Sequence, residues 1–196
     1  MALSIAHAAA GYLVYEATRP MGPHRPGLLL GAAVLANGPD FDFLPGLIVG
    51  NPDLCHRGVT HTLGATLLVT AVAAAAAWVV RRRWSAVRAV AVFVGAAYGS
   101  HLLLDFCTAD AVPPHGAQFL WPFSTEYYLL PKPLLGELII DRTGRAAFLA
   151  SLVSRAALVR WGTEMLLLVG AVVGVHAVRA LRTALAATEA PLGEES

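Results

Sequence analysis

Charge is scarce in this chain. Asp, Glu, Lys and Arg make up 14% of its 196 residues, against about 25% in ordinary soluble domains. The few charges nearly cancel, to a net +1, so no basic surface suited to a nucleic acid is implied. Cysteine is almost absent as well. Cys55 and Cys107 set no disulfide framework and form no CxxC pair for a zinc knuckle. Both adjoin motif residues, which leaves two readings: a bridge on an oxidising face, or two small inert side chains. The opening residues Met1 to His7 lack a basic n-region, so the first apolar stretch is expected to be retained and not to act as a secretory signal. There is no internal repeat.

What fills the chain instead is apolar sequence in blocks. Hydrophobic residues account for 57%, and the mean hydropathy is +0.61. Blocks of this kind predict an all-α integral membrane bundle of about five spans, some short or broken, with an irregular outer loop. Residues 1–187 are expected to form one membrane-embedded domain, followed by a polar tail over 188–196. The first segment, 2–17, is short for a bilayer core. Pro- and Gly-rich sequence around Arg19 and Arg25 then breaks the chain. The second segment, 27–36, is shorter still and runs into Gly38-Pro39-Asp40-Phe41-Asp42. Such a half-span suggests a site sunk below the membrane surface. After a turn-rich loop over 45–59, Thr60 is expected to cap a third segment that starts near His61 and ends at Arg81-Arg82-Arg83. The fourth segment, 86–105, returns. The linker 106–144 reads as irregular, 143–160 as an interfacial amphipathic helix, and 161–180 as the fifth span.

Short basic connections favour the cytoplasm. Placing Arg81 to Arg83 inside puts the N-terminus and the linking loop outside and the C-terminus in the cytoplasm. The site is then expected on the extracytoplasmic face of the membrane. His7, Asp40, Asp42, His56, His61, His101, Asp105 and His115 all fall toward that face.

Their chemistry is suggestive as a group more than singly. His101 and Asp105 are spaced i, i+4 and share a helix face; they fit a metal grip, or a helix-end histidine with a terminal carboxylate. His56 and His61 fit ligation or two interfacial imidazoles. Asp40 and Asp42 point the same way if the backbone is extended, and fit a hard cation or Asx-turn capping. Together, His7, Asp40, Asp42, His56, His61, His101 and Asp105 form a mixed N/O donor set. It suits a divalent metal, zinc first, with manganese or iron as alternatives, and it is large enough for more than one ion. Arg57 fits either charge neutralisation on a phosphate or an exposed interfacial role. His115 fits a further acid or a solvated loop residue. Glu164 must face the bundle, either paired with Arg160 or touching the site. Trp121, Phe123, Tyr127 and Tyr128 read as an interfacial aromatic belt.

His7, Gly38-Pro39-Asp40-Phe41-Asp42, the run His56-Arg57-Gly58-Val59-Thr60-His61-Thr62, His101 with Asp105, and Trp121-Pro122-Phe123-Ser124 occur in that order. This order resembles the membrane-bound metal-dependent hydrolases, described also as LexA-binding and inner-membrane-associated. Thr62 stands where that family usually has serine. The ligand order is distantly similar to that of zinc-dependent phospholipase C and P1-type nucleases, although Arg160 replaces a histidine of their second HxxxE pair. The resemblance implies a hydrolase acting through metal-activated water on an ester or phosphoester.

The expected function is therefore cleavage of a lipid or lipid-linked substrate, with Arg57 and His115 as catalytic candidates. The alternative is a non-enzymatic membrane protein, either a metal carrier or an anchor recruiting a regulator such as LexA. Expected partners are the bilayer and its lipids, and not nucleic acid.

Overall fold

The computed structural model describes residues 4–19, 23–49, 57–110, 115–136 and 145–188. Seven α-helices occur among them: α1 (Ser4–Thr18), α2 (Pro26–Ala36), α3 (Phe43–Ile48), α4 (Leu63–Arg81), α5 (Trp84–Cys107), α6 (Arg145–Leu152) and α7 (Arg155–Thr188). Two 3-10 turns, Pro39–Asp42 and Val59–His61, interrupt them. The described residues hold no strand, only two isolated bridges in the linker, so the all-α class is as expected.

Three helices are long and apolar enough to cross a membrane: α4, α5 and α7. α1, with 15 residues, and α2, with 11, are shorter. Three candidate spans therefore stand beside two shorter helices. α5 is the centre. It packs against α1, α2 and α4, and its buried face runs through Val94, Ala97, Tyr98, His101, Leu102 and Asp105. The most apolar window of α4 is 0% buried, against 33% for α5. Leu67, Leu68, Val72, Val79 and Val80 of α4 point outward, where a soluble helix would carry charge.

Close packing here depends on small side chains, as it does between membrane helices generally. Ala6, Ala10, Ala32, Ala36 and Ala97 are all buried. Gly11 of α1 lies directly on the α2 backbone; a Cβ there would sit 2.5 Å from the Ala32 carbonyl oxygen. α4 and α5 form a hairpin whose tight turn uses Arg82 in the left-handed region, φ 51°. In that hairpin Thr66 and Thr70 face Gly99 and Gly95.

Four expectations about helix ends are corrected. Thr62, not Thr60, caps α4: its hydroxyl oxygen accepts from the Ala65 N–H at 2.9 Å. The interfacial helix expected over 143–160 is two helices, because the Ser154 hydroxyl accepts from the Ala157 N–H at 3.2 Å and starts a new one. That new helix, α7, runs unbroken through the expected boundary at Trp161. It can do so because Arg160 and Glu164 pair at i, i+4 and both are buried. Finally, the loop expected over 45–59 is helical as far as Ile48. The tail beyond Thr188, like Cys55, His56 and Arg142, lies outside the described residues.

At the end of α1 remote from His7, Glu16 is fully buried and meets Arg19 Nε at 2.9 Å and Arg179 Nε at 3.5 Å. Arg179 Nη1 also donates to the carbonyls of Glu16, at 2.6 Å, and Arg19, at 3.1 Å. Those are carbonyls that a helix C-terminus leaves without helical partners. α7 is thus clasped to α1.

Gly11→Ala should separate α1 from α2 at a cost of about 1–3 kcal/mol. Gly27→Ala, at a position with nothing within 4 Å of its would-be Cβ, should stay within about 0.5 kcal/mol of wild type. Unfolding in detergent checks this, and equal effects from the two changes would refute the close approach.

Candidate metal centre

Each polar residue of the centre comes from a different local structure. His7 lies on the first turns of α1. α2 ends at Ala36, and Pro39, with its fixed φ, opens the turn that carries Asp40 and Asp42. His61 closes the second 3-10 turn, just before α4. His101 and Asp105 sit one above the other on α5. His7, His61, His101 and Asp105 are all buried.

The 3-10 geometry changes the reading of the two aspartates. At about 120° per residue, Asp40 and Asp42 point in different directions, not to the same side as an extended backbone would place them. They approach the His61 ring from its two nitrogens. Asp42 Oδ2 is 3.1 Å from Nδ1, and Asp40 Oδ1 is 3.4 Å from Nε2. Asp42 thus meets the far side of the imidazole, where a carboxylate fixes a ligand's tautomer.

The tautomers follow from the partners. His101 Nδ1 lies 2.8 Å from the Ala36 carbonyl oxygen, which can only accept, so that nitrogen carries the hydrogen. His61 Nδ1 faces the Asp42 carboxylate and donates to it. In the neutral rings both Nε2 atoms therefore present lone pairs, and they stand 3.2 Å apart. Asp40 Oδ1 is 3.4 Å from His101 Nε2. Asp105 Oδ2 is 3.4 Å from His101 Nε2 and 3.7 Å from His61 Nε2.

Asp40 Oδ1 and the two Nε2 atoms thus form one three-donor group, and Asp105 Oδ2 lies near the same two nitrogens. Ligands about 2.0–2.2 Å from a tetrahedral ion lie about 3.3–3.6 Å from each other, close to the 3.2–3.4 Å separations within the Asp40, His61 and His101 group. Asp40 Oδ1, Asp105 Oδ1 and His7 Nδ1 are buried without a hydrogen-bond partner among the described residues. Interiors leave few polar atoms in that state. A cation between them would satisfy these atoms. His7 stacks on His101, centroids 3.7 Å apart and planes 14° apart, with its Nε2 3.6 Å from Asp105 Oδ1. Two groups could hold an ion: Asp40 with His61 and His101, and His7 with His101 and Asp105. Only Nε2 of His101 is available to either, so the two groups make one continuous basin.

The two catalytic candidates meet elsewhere. Arg57, at φ 62°, pairs with the Asp110 carboxylate. The same carboxylate accepts from the Gly116 N–H at 3.1 Å. His115 is exposed, and its Nδ1 bonds the Asp110 carbonyl at 2.7 Å. Arg57 therefore ties the loop after α5 to the turn before α4, and His115 braces that loop from within. His56 lies outside the described residues. Two contributors escaped the sequence. Thr60, whose place next to His61 was the available signal, donates its hydroxyl to Asp42 Oδ2 at 2.7 Å. The Ala36 carbonyl left no signal at all.

Burial by itself favours neutral His61, but the Asp40 and Asp42 carboxylates beside its two nitrogens outweigh that and raise its pKa. Burial opposes the Asp40 carboxylate too, yet the His101 and His61 imidazoles beside it hold its pKa well below the ordinary carboxylate range.

The sequence model of the YdjM inner membrane protein family matches residues 1–184. No curated protein and no solved structure matches the chain.

An incoming divalent ion meets Asp40 already ionised and must expel a proton from His61. Metal affinity should therefore weaken as pH falls, beginning above the ordinary imidazole value of about 6.5. Titration of the purified protein with zinc at a series of pH values measures this, and affinity unchanged between pH 8 and pH 5.5 would contradict it.

Proposed function

The chain belongs to the YdjM inner membrane protein family, and from that we propose that it is a metal-dependent hydrolase that cleaves an ester or phosphoester of a lipid or lipid-linked molecule. The observation that carries this reading is the pair of imidazole nitrogens flanked by the Asp40 and Asp105 carboxylates, each carboxylate oxygen 3.4–3.7 Å from those nitrogens. Zinc suits that mixture of donors and that geometry best. A divalent ion held by Asp40, His61, His101 and Asp105 would supply Lewis acidity at a substrate oxygen and acidify a water. His7, facing the second oxygen of Asp105, marks where a further ion would be held.

The chain's own residues do the rest. Asp40 is the least buried of the four donors, its side chain 13% exposed against 0% for His61 and His101 and 5% for Asp105. Substrate therefore approaches from the Asp40 side. Asp42 and the Ala36 carbonyl keep the two imidazoles turned toward that opening. Arg57 is committed to Asp110 and holds the loop after α5.

Two features support a lipid substrate. His101 lies about 25 Å along α5 from the arginine turn, measured at 1.5 Å per residue, against a hydrocarbon core of about 30 Å. The donors then sit just inside the outer edge of the membrane, with the arginine turn and Arg179 on the cytoplasmic side. Around that edge Phe41, Phe43, Leu44, Leu63 and Phe123 are exposed, an apolar rim suited to acyl chains.

His101→Ala should remove bound metal and lower hydrolysis at least 100-fold, as loss of a ligand does in metal-assisted chemistry. Elemental analysis of the purified protein, followed by a phospholipid and phosphodiester panel with and without chelator, provides the test. Full activity in metal-free protein would overturn the proposal.

A further inference from the structure

Three ligand-bearing segments meet at one side chain that does not itself reach an ion. Tyr98 lies one turn before His101 on α5 and is buried, on the same helix face. Its hydroxyl donates to the Thr60 carbonyl at 2.9 Å. Its ring lies against Gly38, where a Cβ would stand 3.3 Å from Cε2. Tyr98 therefore touches the segment that leads to Asp40 and the turn that carries His61, from the helix that carries His101 and Asp105.

Thr60 continues the connection. Its hydroxyl has one hydrogen, donated to Asp42 Oδ2 at 2.7 Å. A lone pair of the same oxygen then faces His61 Nδ1 at 3.1 Å. Two acceptors, Thr60 Oγ1 and Asp42 Oδ2, thus surround the single Nδ1–H. The turn that holds His61 is three residues long, with the His61 N–H bonded to the Gly58 carbonyl at 3.0 Å. Such short 3-10 pieces have little rigidity of their own.

We propose that Thr60 and Tyr98 are positioning residues of the metal centre. Thr60, with Asp42, fixes the rotation and tautomer of the His61 imidazole, and Tyr98 anchors the turn from which that imidazole projects. This role rests on the metal-site reading above and adds what holds one ligand in place. The chemistry is that of an outer carboxylate and hydroxyl orienting a ligating histidine, an arrangement whose loss typically costs 10–100-fold in metal affinity. A tyrosine hydroxyl bonded to a main-chain carbonyl sets the position of a segment; it neither ligates nor transfers a proton here.

The test is a cobalt(II) titration of the full-length protein in detergent, followed by visible absorption, which reports the geometry around the ion as well as its affinity. Wild type should bind with the strong bands of a four-coordinate site. Thr60→Val keeps the shape and loses the hydroxyl; it should bind about 10–100-fold more weakly, with altered bands. Thr60→Ser should restore both affinity and spectrum. Tyr98→Phe keeps the ring on Gly38 and should weaken binding about 10-fold, at the lower end of that range. If Tyr98→Phe fails to fold, the Thr60 pair decides alone. Wild-type affinity and spectrum in Thr60→Val would overturn the positioning role, as would a loss in Thr60→Ser equal to that in Thr60→Val. Failure of wild type to bind cobalt is a different result: it strikes down the metal site itself, and the positioning role with it.

Discussion

His61 Nε2 and His101 Nε2 stand 3.2 Å apart in an interior that excludes water, with the other nitrogen of each ring already committed. Like lone pairs at that distance repel, and two carboxylate oxygens close by add to the negative potential. The arrangement holds together only with positive charge at its centre, from a proton or a metal ion. Much of the surrounding structure serves this one electrostatic demand. α2 stops where its last carbonyl can accept from His101. The 39–42 turn divides its two aspartates between the two sides of His61. α5 is the most buried of the long apolar helices, and it carries the cluster on its buried face.

The helices around the centre are close-packed by subtraction. Gly11 against Ala32, and Gly95 and Gly99 against two threonines, bring backbones near enough that side chains of modest reach can share one point. In hydrocarbon there is no hydrophobic gain from bringing apolar helices together, so surface fit and polar contacts must do it. That explains why the core is mostly alanine while leucine and valine face outward. It also explains why the fold tolerates a buried polar cluster: its members are one another's solvent.

Much of this was legible in the amino-acid order, because long apolar runs are a strong signal. α2 was expected over 27–36 and found over 26–36, and the i, i+4 pair of His101 and Asp105 does share a face. Short polar segments gave no such signal. Four residues starting with Pro39 fit an extended strand or a 3-10 turn equally well by composition, and the two place Asp42 on different sides of the site. Thr60 could cap a helix or bond a carboxylate, and Thr62 was close enough to take the first task. α7 was cut short on paper because Arg155 and Arg160 look interfacial. Their helix continues because Glu164 neutralises Arg160, a pairing that spacing permits but does not demand. What remained hidden altogether was main-chain: no residue name announces that the carbonyl of Ala36 meets an imidazole.

The clasp of Glu16 and Arg179 lies at the opposite end of α1 from His7, about 13 Å away at 1.5 Å per residue. A helix with an alanine-rich surface has few knobs to stop it sliding along its neighbours. Sliding by a single turn would carry His7 about 5.4 Å along the axis and off the His101 ring. By gripping both the carboxylate and the last carbonyls of α1, Arg179 sets how deep that helix sits. α7 thereby acts as a depth stop for α1, and a charge pair remote from the chemistry holds an imidazole in its stack.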